Sequence, residues 1–120
     1  MATDSDVRHE PRLCDAALTR AFRFLGKRWN GVLLASLVGG PLGFTQLKRA
    51  VAGISDSVLS ERLAELAQAG LVKRSVQPGP PVTVTYTLTP SGQALAPALA
   101  ELTTWAADNL PEETCRNARD

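Results

Sequence analysis

Between residues 20 and 74 the chain sets nine cations, Arg20, Arg23, Lys27, Arg28, Lys48, Arg49, Arg62, Lys73 and Arg74, against three carboxylates, Asp56, Glu61 and Glu65. This is a local excess of +6 in a 120-residue chain whose net charge is only +1. Lysine and arginine at this density hold phosphate oxygens. A local patch is enough to attract a polyanion, because the Debye length is about 8 Å at physiological salt. Within the same stretch Ser57, Ser60 and Glu61 fall on one side of a helical register. Hydroxyls and a carboxylate can read base edges, glutamate preferring the N4 donor of cytosine. Other chemistry lacks its residues. The single histidine, His9, lies in a polar stretch, and Cys14 and Cys115 stand far apart with no Cys/His spacing suited to zinc. No nucleophile has a histidine base and no phosphate loop is present, so neither an enzyme nor a metal or cofactor is expected.

These groups need elements to position them. Asp15 to Leu25 reads as a first helix with Asp15 as N-cap, and Arg28 to Val38 as a second, with Trp29, Val32, Leu33, Ser36 and Leu37 at helical spacing. Leu42 to Phe44 fits a short strand, and Thr45 caps a short helix ending at Ala50. The next helix has Ser55 as N-cap, Asp56 in its first turn and Gly70 as C′. Leu59, Leu63 and Leu66 form its buried stripe, and Ser57, Ser60, Glu61, Ala64 and Gln68 point away. Two strand-like runs follow, Val72 to Gln77 and Val82 to Leu88, joined by Pro78-Gly79-Pro80-Pro81; Val82, Val84 and Tyr86 alternate with Thr83, Thr85 and Thr87. A last helix opens at Thr89-Pro90 and carries Leu95, Leu99, Leu102, Ala106 and Leu110, with Pro97 expected to bend it. A capped helix feeding into a proline-tipped hairpin is the pattern of a winged helix-turn-helix, an α+β fold that binds double-stranded DNA.

At 44% hydrophobic residues the chain suits one core and one domain, 14–110, between an arm at 1–13 and a polar tail at 111–120. No apolar run approaches the roughly 20 residues needed to cross a bilayer. Met1 to Leu13 is polar rather than a signal sequence, so no membrane partner and a cytoplasmic location are expected. The last helix offers more apolar surface than one small domain covers, which calls for a partner chain.

In this order and spacing the motifs resemble the HxlR-type family of bacterial winged-helix regulators. The match is carried by Cys14, Gly26-Lys27-Arg28-Trp29, Phe44-Thr45-Gln46-Leu47-Lys48-Arg49-Ala50, Gly53-Ile54-Ser55 and Val58-Leu59-Ser60-Glu61-Arg62-Leu63. It continues through Gly70-Leu71-Val72, Tyr86-Thr87-Leu88-Thr89-Pro90-Ser91-Gly92, Leu95-Ala96-Pro97 and Trp105. Three positions depart from the pattern. Lys27 stands where a second glycine is usual, Asp15 where proline is common, and Thr83 where the wing often has an arginine for the minor groove.

The resemblance implies a homodimeric transcriptional regulator, read here as a repressor on an inverted-repeat operator, with the first and last helices forming the dimer interface through Leu18, Leu95, Leu99, Leu102 and Trp105. On the DNA side, Thr45, Gln46, Lys48, Arg49, Ser55, Arg62, Arg74 and Thr83 are expected at the backbone, and Ser57, Ser60 and Glu61 at base edges. Arg62 can equally pair with an acidic neighbour. The outward helix face has no arginine for guanine, which favours weak direct contacts combined with DNA shape. Some members of the family sense oxidants or electrophiles through the cysteine before the first helix, which makes Cys14 the redox-sensing candidate and a small molecule or oxidant a candidate inducer. Cys14 also reads as a buried small hydrophobe or a disulfide partner. The rival reading is a ligand- or protein-binding module with an apolar pocket at the dimer interface.

Overall fold

The computed structural model describes residues 16–112. Helix α1 fills residues 16–25. It is followed by α2 (Asn30–Ser36), β1 (Leu42–Gly43), α3 (Phe44–Ala50), α4 (Asp56–Gln68), β2 (Val72–Gln77), β3 (Thr83–Leu88), α5 (Pro90–Ala94) and α6 (Ala96–Asn109). The three strands form an antiparallel sheet in the order β1-β3-β2, with Leu42 opposite Tyr86, Val72 opposite Leu88 and Gln77 opposite Thr83 at the tip of the wing. This is the expected α+β winged helix-turn-helix. The arm at 1–13, Cys14, the cap at Asp15, Cys115 and the tail from residue 113 lie outside the described residues.

One core holds these elements. Leu33, Leu34 and Leu37 of α2, Leu47 of α3 and Leu59, Leu63 and Leu66 of α4 are buried together, with Val51, Ile54, Val72 and Leu88 at the edges. Each such side chain contributes roughly 1.5–3 kcal/mol by leaving water, and the three leucines of α4 lie on the face that the helical period dictates. Ser55 caps α4 through its Oγ, which accepts the Val58 N–H at 3.2 Å. Asp56 complements the helix dipole from the first turn, and Gly70 ends the helix at φ +82°, a left-handed backbone that glycine adopts without Cβ strain.

A tight junction joins the end of α4 to the start of α5. Thr89 Oγ1 accepts the Gly92 N–H at 3.2 Å and donates to the Gly70 carbonyl, while the Thr89 N–H donates to the Leu71 carbonyl at 3.0 Å. A Cβ at Gly92 would stand 2.3 Å from that same Leu71 oxygen. Only glycine lets the two segments come this close.

The structure corrects four expectations. Helix α2 is shorter than Arg28–Val38, and its buried face is rotated: Leu34 is buried, whereas Val32 is exposed. Thr45 is not a cap. Strand β1 pairs as far as Gly43 opposite Thr85, so the helix starts directly after it with Gly43 as N-cap, and Gln46 Oε1 accepts the Gly43 N–H at 2.8 Å. Val82 lies before β3 and is exposed, so the alternation does not carry through to burial. Pro97 does not bend one long helix. The chain closes α5 at Leu95 and restarts as α6, placing Pro97 in the first turn, where a missing N–H leaves nothing unsatisfied.

Candidate nucleic-acid interface

Helix α4 stands on its leucine stripe and turns Ser57, Ser60, Glu61, Ala64 and Gln68 outward, all exposed. The Ser57 and Ser60 hydroxyls are open to solvent, Ser57 Oγ lying 3.5 Å from the capping Ser55 Oγ. Glu61 touches only Arg62, at 3.9 Å, with its side chain 71% exposed. These are groups that can meet a base edge. Ser55 is already occupied in part, since its oxygen caps the helix.

The cations fall into two groups. Arg49 and Arg74 are exposed and make no ion pair among the described residues. Lys48 is exposed but spends its charge locally, its Nζ lying 2.7 Å from Asp56 Oδ1 across the α3–α4 turn. Thr45 is exposed in the first turn of α3, and Gln46, also exposed, uses its carbonyl oxygen on Gly43. Arg74 sits on β2 opposite Tyr86, and Thr83 opens β3 at the wing tip, where its hydroxyl donates to the Pro81 carbonyl at 3.3 Å.

Arg62 lies elsewhere. Its side chain is only 17% exposed and pairs with Glu65, one turn along α4. Glu65 is also held by Lys27, whose Nζ donates to it at 2.9 Å from the α1–α2 turn. The Lys27 hydrogen bond keeps the Glu65 carboxyl below its ordinary range against the desolvation of its site. The positive charges of Arg62 and Lys27 and the buried Asn30 amide pull the same way. This triad ties the inner flank of α4 to the junction of α1 and α2, the acidic pairing that the sequence left open for Arg62. Sequence spacing showed Arg62 and Glu65 as neighbours but gave no sign of Lys27, 38 residues away.

Next to the triad, the Arg28 guanidinium lies 4.5 Å from the centre of the Trp29 ring. In sequence Trp29 reads as part of the second helix's apolar spacing, and the adjacent arginine–tryptophan pair is the one signal for this contact.

A second surface, formed by α1 and α6, exposes apolar groups. Leu18 and Phe22 of α1 and Leu102, Trp105 and Leu110 at and beyond α6 are exposed, and Phe22, Ala98, Glu101, Leu102 and Trp105 line an open groove between the two helices. Leu95 and Leu99, expected with them, instead pack against the protomer's own core.

Comparison with known proteins places this geometry. Residues 24–114 match the model of a family described as HxlR-like helix-turn-helix. The HTH-type transcriptional regulator YodB of Bacillus subtilis is 45% identical over 86 residues, 72% of this chain and 77% of that protein. YvaP of the same organism, also named an HTH-type transcriptional regulator, is 43% identical over 89 residues, 74% of this chain and 82% of its own. Among solved structures, the reduced form of YodB superposes with a TM-score of 0.71 at 41% identity, covering 78% of this chain and 92% of that one. The redox regulator HypR in its oxidized form gives 0.74 at 27% identity, covering 79% and 98%.

Proposed function

The chain belongs to the HxlR-like helix-turn-helix family of transcriptional regulators, and from that premise we propose that it is a homodimeric repressor that binds an inverted-repeat operator and responds to oxidants or electrophiles through Cys14. The observation that carries the DNA reading is the outward face of α4. Ser57, Ser60 and Glu61 stand exposed on a helix seated by a buried leucine stripe, and the domain also exposes the cations Arg49 on α3 and Arg74 on the wing. The helix enters the major groove. Arg49, Arg74, Thr45, Gln46 and Thr83 contact the backbone, Lys48 adds to them where it leaves Asp56, and Ser55 adds its hydroxyl beyond its capping role. Arg62 is left out because Glu65 holds it.

The dimer reading rests on the exposed apolar groups of α1 and α6, Leu18, Phe22, Leu102 and Trp105, which a second copy related by a two-fold axis would cover. Two-fold symmetry requires a palindromic operator with half-sites one helical turn, about 34 Å, or a multiple of it apart. The redox reading rests on the relatives: HypR is a redox regulator, and YodB has been solved in reduced and diamide-treated forms. Cys14 precedes α1, so an adduct there acts at the helix that the dimer shares.

Selection of bound fragments from random DNA, followed by fluorescence anisotropy on the selected duplex, tests the first part. A palindromic site is expected, and binding that is indifferent to both sequence and salt rules the reading out. Diamide should release the wild type but not Cys14→Ser; equal release of both ends the sensing role.

A further inference from the structure

Arg28 lies outside both the recognition helix and the wing, and its setting differs from that of every other exposed cation described. Its guanidinium stacks on Trp29 at 4.5 Å. Trp29 is half-buried against the core, and its ring reaches the turn between α3 and α4: a Cβ at Gly53 would stand 3.7 Å from the ring carbon Cη2. Two residues beyond Gly53 is Ser55, the cap of α4. Contacts thus run from Arg28 through Trp29 to Gly53, in the turn that precedes the helix carrying Ser57, Ser60 and Glu61. Neighbouring Lys27 is engaged by Glu65, whereas no carboxylate among the described residues pairs with Arg28.

A stacked guanidinium suits one kind of ligand. A guanidinium resting over a ring can keep the N–H donors at its edge free, in the fork that matches two oxygens of a phosphate. The stack also restrains a side chain that would otherwise lose rotamer freedom on contact. We propose that Arg28 is a phosphate ligand, held by Trp29 against the DNA backbone flanking the groove that α4 enters. The proposal rests on the DNA reading above and extends the footprint to the α1–α2 turn. Lysine at this position would keep the charge but lose the flat face and the fork.

The test uses the full chain, with anisotropy across a salt series on the selected operator and on a scrambled duplex, for wild type, Arg28→Ala, Arg28→Lys and Arg49→Ala. Arg28→Ala should flatten the slope of log K against log salt by about 0.9, one phosphate contact, on both duplexes alike. Arg28→Lys should keep the slope and bind several-fold more weakly. Arg28 is exposed, so Arg28→Ala should melt as one cooperative unit at a temperature lowered only slightly by the lost ring contact, which separates lost contact from lost fold. A wild-type slope in Arg28→Ala alongside a flattened slope in Arg49→Ala overturns this proposal and leaves DNA binding standing. A loss confined to the operator also overturns it, because it would make Arg28 a base reader. Full affinity in Arg28→Lys removes the role given to the stack. A wild type that binds neither duplex overturns the DNA reading itself.

Discussion

Helices α4 and α6 are of similar length, 13 and 14 residues, yet they are used in opposite ways. Helix α4 buries Leu59, Leu63 and Leu66 and exposes hydroxyls and a carboxylate, while α6 has no buried residue and exposes Leu102 and Trp105. The first is complete within one protomer, since its apolar side is dry and its polar side is wet. The second leaves apolar groups in water and gains stability only when another surface covers them. One exposed face thus suits a charged, hydrated ligand and the other a protein chain, and the same substitution on each helix should have different consequences.

The largest expected difference comes from the same truncation on each. Leu63→Ala should cost about 2–5 kcal/mol in urea unfolding, because it opens a cavity in the core. Leu102→Ala should lower stability only in a concentration-dependent way, through the association it weakens. A concentration-independent loss of core size from Leu102→Ala would put α6 in the same class as α4. Next in size, Leu102→Asp sets a charge in the apolar patch beside Trp105, and sedimentation velocity should show monomers where the wild type is dimeric. A wild type already monomeric at micromolar concentration removes the contrast altogether.

Smaller effects sharpen the polar side. Asp56 holds Lys48 at 2.7 Å. Asp56→Asn should therefore release a cation and remove a like charge facing phosphate, tightening DNA binding several-fold and steepening the salt slope, while helix stability falls by about 0.3–1 kcal/mol from the weakened first turn. Unchanged anisotropy would show that Lys48 does not face the DNA. The smallest effect concerns acid. Glu65 titrates below its ordinary value in the folded chain, chiefly because of the Lys27 hydrogen bond. Its contribution is therefore complete above the unfolded carboxylate value and is lost as pH falls through the lowered folded one. Glu65→Gln should be less stable than the wild type at neutral pH, and the gap should narrow below about pH 4.5. A gap that stays constant with pH would leave the triad without an electrostatic part.

Much of this was legible in the chain because it is local. Ser55, Asp56 and Gly70 mark the ends of α4 by the hydrogen-bonding needs of helix termini, and its leucines mark the buried side by period. Thr89-Pro90 marked the start of α5 in the same way. What escaped depends on neighbours far along the chain. Thr45 has the right side chain for a cap, but the pairing of Gly43 with Thr85 decided where α3 begins. Pro97 signalled a disturbance, and only the packing of α5 decided that it would be a fresh start. Which carboxylate holds Lys27 and Lys48 is tertiary, as no periodicity encodes which acid folds back onto which ammonium, whereas the Arg62–Glu65 pair follows from helical spacing.

The junction at Gly92, where α5 presses on the end of α4, bears on how the proposed dimer would span its operator. With Thr89 bonded to both Gly70 and Leu71 and no room for even a methyl group at Gly92, α4, the wing and α5 are tied closely together, and in the proposed dimer two such units would set the distance between half-sites. Each base pair added between operator half-sites turns the far one by about 34° around the duplex. If the proposed dimer holds its half-sites at one distance, it loses its second grip after one insertion and regains it only near a full turn, so binding plotted against spacer length should oscillate with the pitch of the double helix.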